Sequence, residues 1–278
     1  MSTRMDRLGW AAAWAGMLLA LAVTLFPFYW MVNTSLKPQS EVFQSPPSFV
    51  SANWTLAGYL QVWASRLLGR FFLNTAIVSV GSTLLAMALS ALAAYGFSRF
   101  RMRWERPLIL LLLFTQMLPG TLLIIPYFQL MARLHLINTY LSLILAYVSF
   151  ALPFSTWMLI GFFRSIPLEL DEAAMVDGCG RVGAFWRVIL PLSLPGLVAV
   201  AIFTFLLAWN AYVFALVLTT DPKMFPLSVG IANMLGEYQV LWNEMMAAAV
   251  LATLPVFVLY GFLERYLVQG ITAGALKG

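Results

Sequence analysis

Few side chains in this sequence could carry out chemistry. The chain has one histidine, His135, and one cysteine, Cys179, and no cluster of histidine, cysteine and acidic residues that could form a metal site surrounds either of them. It also lacks a Gly-x-x-x-x-Gly-Lys-Ser/Thr sequence, so it has no loop of the kind that cradles nucleotide phosphates. We therefore expect no catalytic residue, no metal ligand and no cofactor bound by this chain. Seven of the 27 charged residues, together with Phe185 and Trp186, lie between residues 164 and 196.

The composition indicates the environment in which the chain folds. Of its 278 residues, 62% are hydrophobic and 10% are charged, whereas a soluble domain carries about 25% charged residues. A water-soluble fold of this size could not cover so much apolar surface, and disordered chains have the opposite composition. The sequence therefore predicts an integral membrane protein.

Seven long segments carry no formal charge, and one of them, residues 42–65, is a poor candidate for a span because Pro46, Pro47, Asn53 and Gln61 interrupt it. A bilayer core of about 30 Å needs about 20 helical residues, and apolar runs such as 108–113 lack the alternation of a membrane β-strand. We predict an all-α integral membrane protein that forms one domain over residues 1–278, with six transmembrane helices. The predicted spans are approximately residues 8–34, 71–98, 107–131, 137–163, 191–219 and 245–267.

The basic residues predict the orientation of these spans. Of the 16 lysines and arginines, eleven fall on the side that holds both termini and five on the other. Because basic residues are enriched in cytoplasmic loops, we expect both termini in the cytoplasm and an extracytoplasmic loop at residues 37–69. The net charge of +5 then reflects membrane topology, and nothing in the sequence indicates nucleic-acid binding.

The predicted spans contain polar but no centrally placed charged side chains. Intramembrane ionisable residues are typical of proton- and ion-coupled carriers, so their absence argues against a secondary carrier. A cargo would instead meet hydroxyls, amides and aromatic rings, which suit neutral polyhydroxylated solutes. The candidate residues for such a path are Asn210, Trp209, Tyr212, Thr204 and Gln116. Helix packing is an alternative role for each of them.

The predicted cytoplasmic loop at residues 164–190 has the pattern of a short helix-turn-helix. Ser165 is a candidate N-cap and acidic residues follow it, as favoured at the positive end of a helix. Gly178 suits a left-handed helix terminus, and a second short helix is predicted from Arg181. We expect Phe185 and Trp186 to insert into pockets on a partner.

This loop resembles the EAA loop of permease subunits of binding-protein-dependent ABC importers. The resemblance lies in Glu172-Ala173-Ala174, three residues, Gly178, nine residues and then Val188-Ile189-Leu190-Pro191. Further segments are similar to the maltose-type carbohydrate permeases: NTSLKP at 33–38, AAYGFSRF at 93–100, AWN at 208–210 and GITAGALKG at 270–278. The likeness extends over nearly the whole chain.

The resemblance implies that this chain forms half of the translocation pathway for a mono- or oligosaccharide. The implied partners are a second homologous permease, a dimer of ATPase subunits that bind ATP and Mg, and an extracytoplasmic solute-binding protein, in a bacterial or archaeal cytoplasmic membrane. The residues expected to couple to the ATPase are Glu169, Asp171, Glu172, Ala173, Ala174, Asp177, Gly178, Phe185 and Trp186. The C-terminal tail with Lys277 is a further candidate contact. A glycerol-phosphate-type cargo and a secondary carrier remain alternatives.

Overall fold

The computed structural model describes the backbone of residues 2–65, 67–100, 102–236 and 240–275, and the side chains of residues 9–64, 67–100, 102–235 and 240–262. All regular elements in these ranges are helical. The C-terminal tail with Lys277 lies outside them. The predicted all-α membrane architecture is confirmed. The helices divide into two compact units, residues 1–68 with 231–254, and residues 69–230 with 255–278.

The first unit is built around a long helix and the loop that follows it. It contains helices α1 (Ser2–Ser35), α2 (Gln39–Val42) and α3 (Ala57–Ser65), with the start of a later helix. The loop folds back onto α1, because the Lys37 ammonium lies 5.1 Å from the centre of the Trp30 ring and donates a hydrogen bond to the Ser48 carbonyl oxygen. These contacts hold residues 36–56 close to the end of α1.

A buried carboxylate organises the same loop. Glu41 accepts hydrogen bonds from Asn53 Nδ2 at 2.7 Å and from Ser51 Oγ at 2.8 Å. These bonds, with a smaller contribution from nearby Lys37, hold the pKa of Glu41 below its usual value. The carboxylate is therefore the charged centre of the loop.

The second unit contains most of the predicted spans and nearly all the remaining elements. Its helices are α4 (Leu68–Arg99), α5 (Glu105–Phe114), α6 (Ile124–Arg133), α7 (Tyr140–Ser165), α8 (Leu168–Val176), α9 (Arg181–Ala184), α10 (Leu190–Leu192), α11 (Leu194–Trp209) and α12 (Val213–Leu218). Helices α13 (Leu227–Asn233) and α14 (Trp242–Ala275) complete the described chain.

Four helices in the described ranges are long and apolar enough to cross a bilayer: residues Gly9–Ser35 of α1, helices α4 and α7, and Trp242–Phe262 of α14. Two further pairs of helical segments qualify only if a sharp bend is allowed within each. Glu105–Met117 meets Gly120–Arg133 at 90°, and Arg181–Leu192 meets Leu194–Trp209 at 78°. The structure therefore has between four and six spans.

Two of the predicted spans are not continuous helices. The span predicted at 107–131 breaks at Leu118 and Pro119, because proline has no amide hydrogen to donate and the residue before it is driven into an extended conformation, here ψ of 127° at Leu118. The span predicted at 191–219 ends its helix at Trp209, and α12 begins only at Val213. Uncharged length alone did not reveal either break.

Small side chains let the helices of the second unit approach closely. Ser82, Ala86, Ser90 and Ala94 on α4 are all buried, with Ala86 in one cluster with Val148 and Ala151 of α7. Where α11 meets α7, Gly196 leaves no space for a side chain, since a Cβ there would lie 2.5 Å from Phe162 Cγ. The packing of α11 on α7 therefore depends on glycine at this position.

We expect Gly196→Ala to lower the free energy of unfolding by about 1–3 kcal/mol through overpacking. The matched control is Gly161→Ala on α7, where an added Cβ meets nothing within 4 Å. Apparent melting temperatures of the purified variants in detergent would measure the difference. Equal values for the two variants would contradict the close contact at Gly196.

The lowered pKa of Glu41 makes the first-unit loop sensitive to acid. Its stabilisation is present above the ordinary glutamate pKa of about 4.3 and is lost as the pH falls through the lower folded value. The 19F NMR signal of 5-fluoro-Trp54, assigned with Trp54→Phe, should therefore shift only below about pH 4.3. Glu41→Gln should give the acid-form signal at every pH. If the wild-type Trp54 signal shifts above that pH, the hydrogen bonds do not hold the Glu41 carboxylate ionised.

Candidate functional site: the loop between α7 and α11

The first helix of this loop has a complete C-terminal cap. Gly178 has φ of +86°, in the left-handed region that favours glycine. Its N–H donates to the Met175 carbonyl oxygen at 3.2 Å, and the Cys179 N–H donates to the Ala174 carbonyl oxygen at 2.9 Å. These two bonds form the Schellman motif. Asp-Gly at 177–178 thus produces the turn that the sequence predicts.

The start of α8 differs from the sequence-based expectation. Ser165 is the last residue of α7, and its hydroxyl donates to the Phe162 carbonyl oxygen in the preceding turn. The position before α8 is occupied by Pro167, with φ of −55° and ψ of 141°. Ser165 is therefore not the N-cap of α8, although acidic residues do lie in the first turn as expected.

The second half of the loop is a helical segment from Arg181 to Leu192 with a wide turn inside it. Residues Phe185–Ile189 form a π-helical turn between α9 and α10. The chain then bends by 78° at Ser193 into α11. A π-turn changes which side chains share a face, so an ordinary helical register does not describe this segment.

One face of the loop is turned into the protein. Asp171 and Ala174 of α8 are buried, and Phe185 is only 3% exposed. The Phe185 ring lies 4.9 Å from that of Tyr95 and 6.4 Å from that of Phe163. These three predicted coupling residues thus contribute to packing within the chain. The expectation that Phe185 fills a pocket on a partner does not fit this placement, because Phe185 already fills one at the end of α4.

Asp171 forms a buried ion pair. Its Oδ2 lies 2.7 Å from Nε of Arg99, the last residue of α4, and the two side chains are 9% and 6% exposed. The Tyr95 hydroxyl lies 3.2 Å from Asp171 Oδ1, and Arg99 also donates to the Ile166 carbonyl oxygen at 3.1 Å. The acid that the sequence suggested for partner binding is therefore held by α4.

The remaining surface of the loop is exposed, and we call part of it the coupling face, after the role that the sequence predicts for its residues. It combines acidic, small and apolar side chains, and Trp186 is 59% exposed at its surface. The described residues that form it are Glu169, Glu172, Ala173, Val176, Asp177, Gly178, Val182 and Trp186. Six of these belong to the predicted coupling set, and the exposed positions Val176 and Val182 were not predicted.

The candidate path residues fall into two groups. Thr204 and Trp209 are buried within the helix packing; Thr204 Oγ1 lies 3.4 Å from Ser155 Oγ, and the Trp209 ring stacks on Phe205 at 5.3 Å. Asn210, Tyr212 and Gln116 are exposed and lie at the breaks in the two bent or interrupted spans. Of the five candidates, only this second group is exposed at the surface of the subunit.

Sequence reasoning missed the residues that hold the loop in place. Tyr95 and Arg99 belong to the segment AAYGFSRF, which was noted only for its resemblance to permeases. Tyr95 and Arg99 are four residues apart, so they lie on one face of α4 at its last turn. Two polar side chains in this position at the end of an apolar helix could have indicated their role. Arg181 also contacts this segment, with its guanidinium 4.9 Å from the centre of the Phe100 ring.

The fold and the site define a multi-pass helical membrane protein with an exposed helix-turn-helix between two of its apolar helices, the architecture of a transport permease. The chain belongs to the family of binding-protein-dependent transport system inner membrane components, whose model matches residues 12–273. It is a permease subunit and not a catalytic enzyme.

Individual relatives cover almost the entire chain. The sulfoquinovosyl glycerol transport system permease protein SmoH of Agrobacterium fabrum is 37% identical over 91% of this chain and 89% of its own. The trehalose/maltose transport system permease protein MalG of Thermococcus litoralis is 36% identical over 95% of each chain.

A solved structure shares the fold. It is a chain of a bacterial ABC transporter involved in the import of the acidic polysaccharide alginate. The two chains match with a TM-score of 0.83 and 21% identity, over 96% of this chain and 99% of the other.

Phe185 and Trp186 are adjacent but should respond differently to truncation. Phe185→Ala removes a buried ring and should lower the free energy of unfolding by about 3–5 kcal/mol. Trp186→Ala truncates a ring that is 59% exposed and packs edge-on against Phe185 at 5.4 Å, so it should lower the free energy of unfolding by no more than about 1.5 kcal/mol. Melting temperatures of the isolated subunit would compare them. A larger loss for Trp186→Ala would mean that the π-turn places these rings the other way round.

Proposed function

We propose that this chain is one of two permease subunits of an ATP-driven importer and forms half of its translocation pathway for a saccharide. The observation that carries the proposal is the coupling face, a rigidly capped and exposed surface on a loop whose other face is locked to the membrane helices. The partners are a second homologous permease, two ATPase subunits and an extracytoplasmic solute-binding protein. ATP and Mg are bound by the ATPases and not by this chain.

The chemistry of the coupling face suits a protein partner. Trp186 offers a large aromatic anchor, a residue type that often dominates binding energy at interfaces. Three exposed acids, Glu169, Glu172 and Asp177, favour basic groups on the partner, and the exposed Arg187 beside Trp186 favours an acidic group. Gly178 has open space around it, so a partner can approach its backbone closely.

The proposed contact with ATPase subunits also predicts the orientation of the chain in the membrane. ATPase subunits work in the cytoplasm, so the coupling face lies on the cytoplasmic side of a bacterial or archaeal cytoplasmic membrane. The eleven basic residues on that side of the predicted topology agree with the positive-inside rule. Both termini then lie in the cytoplasm, and the loop containing Glu41 lies outside.

Two observations support a saccharide as cargo. The names of relatives that cover nearly all of this chain include trehalose, maltose and diacetylchitobiose systems. The exposed polar groups at the helix breaks, Asn210, Tyr212 and Gln116, are neutral and can hydrogen-bond to sugar hydroxyls. No observation favours the glycerol-phosphate alternative or a secondary carrier.

Reversing one charge on the coupling face should separate the subunit from its ATPase. We expect Glu172→Arg, in a strain that co-expresses the companion permease and ATPase of the same genome, to reduce co-purified ATPase by at least about tenfold through like-charge repulsion. Uptake of radiolabelled trehalose, maltose or diacetylchitobiose, whichever the wild type transports, should fall in parallel. The control is Arg133→Glu, an exposed charge remote from the loop.

Two results would contradict the proposed function. One is a wild-type subunit that never co-purifies with an ATPase, and the other is saccharide uptake that continues after ATP is depleted. Equal ATPase recovery with Glu172→Arg and with wild type would instead remove Glu172 from the interface.

A further inference from the structure

The last turn of α4 contacts both helices of the loop. Arg99 pairs with Asp171 on α8, and Tyr95 lies between the two loop helices, with its hydroxyl 3.2 Å from Asp171 Oδ1 and 3.3 Å from the Arg181 carbonyl oxygen. Phe100 lies under the Arg181 guanidinium. One short segment of α4 thus holds α8 and the start of the second loop helix together.

Burial makes this attachment difficult to break. A buried charge whose partner is removed is strongly destabilised, because neither water nor another group compensates it. Separating Arg99 from Asp171 during a conformational change would leave both charges in that situation, since each side chain is less than one-tenth exposed. Movement of the two helices together is therefore favoured over movement apart.

We propose that the Arg99–Asp171 pair, with Tyr95, is a rigid link that transmits displacement of the loop to α4. Asp171 is then a positioning residue that faces away from the ATPase, and the coupling face does the binding. This inference rests on the proposed function, since the displacement comes from ATPase subunits docked on that face. The buried surface of the loop then transmits movement to α4, and the exposed coupling face binds the ATPase.

The link predicts a fixed distance between loop and helix. Spin labels at Leu92→Cys on α4 and Leu168→Cys on α8, both exposed positions, with native Cys179 replaced by serine, would report it by pulsed electron paramagnetic resonance. In the complex with its ATPase in lipid nanodiscs, the label distance should be the same without nucleotide and with ATP plus vanadate. Asp171→Asn should broaden the distance distribution about twofold and make it depend on nucleotide.

Companion variants separate transmission from folding. Tyr95→Phe removes only the hydroxyl and keeps the ring against Phe185, so it should give normal protein yield and a smaller broadening. The double variant Arg99→Gln with Asp171→Asn leaves no unpaired buried charge and should give a narrower distribution than either single variant. Glu105→Gln, which removes a more exposed ion pair with Arg164 near the same end of α7, should leave the distribution unchanged.

The outcomes distinguish this inference from the proposed function. Asp171→Asn should retain the ATPase, because Asp171 is not on the coupling face. An Asp171→Asn complex that retains the ATPase and keeps the wild-type distance in both nucleotide states overturns the link while the proposed function stands. Loss of the ATPase from Asp171→Asn places Asp171 in the docking surface and also overturns it. A wild-type subunit that binds no ATPase overturns both.

Discussion

The bilayer interior supplies no hydrogen-bonding partner to an exposed peptide group, and much of the local structure of this protein follows from that constraint. Each helix break at membrane depth needs a nearby side chain to satisfy the backbone. At the first break, Thr115 donates to the Leu112 carbonyl oxygen at 2.6 Å and Gln116 to that of Phe150 at 3.0 Å. At the second, Asn210 donates to Leu206 and Ser228 to Ala211. Gln116 and Asn210, two of the candidates for a solute path, therefore also satisfy backbone carbonyl groups at these breaks.

The same lack of water explains where charge is tolerated. Arg99 and Asp171 are both largely buried, but they lie at the end of α4 and neutralise each other at 2.7 Å. Two hydrogen bonds, from Arg99 to the Ile166 carbonyl oxygen and from Tyr95 to Asp171, satisfy other polar atoms of these two side chains. A buried pair of this kind contributes little net stability compared with apolar packing. The pair instead favours one arrangement of the loop relative to α4.

The sequence predicted the global features because they depend on composition and local chemistry. Uncharged length located α1, α4, α7 and α14, and Asp-Gly predicted the turn at Gly178. The inward direction of Asp171 and Phe185 could not be predicted in this way. It depends on which neighbouring helix ends beside the loop, and on a π-turn that shifts the register of residues 185–189. Pro119 was visible, but a proline alone does not distinguish a kink from a 90° bend.

A third attachment changes the mechanics of the loop. The peptide chain joins the loop to α7 at Ser165 and to α11 through the 78° bend at Ser193. The contact of Arg99 with Asp171 adds a point on another helix, α4, and the ring of Phe185 against Tyr95 adds packing beside it. A loop held only at its two chain ends could rotate about the line that joins them, and a contact away from that line opposes this rotation. With the proposed link in place, displacement of the coupling face would therefore move α4 as well as the two helices that the chain itself connects.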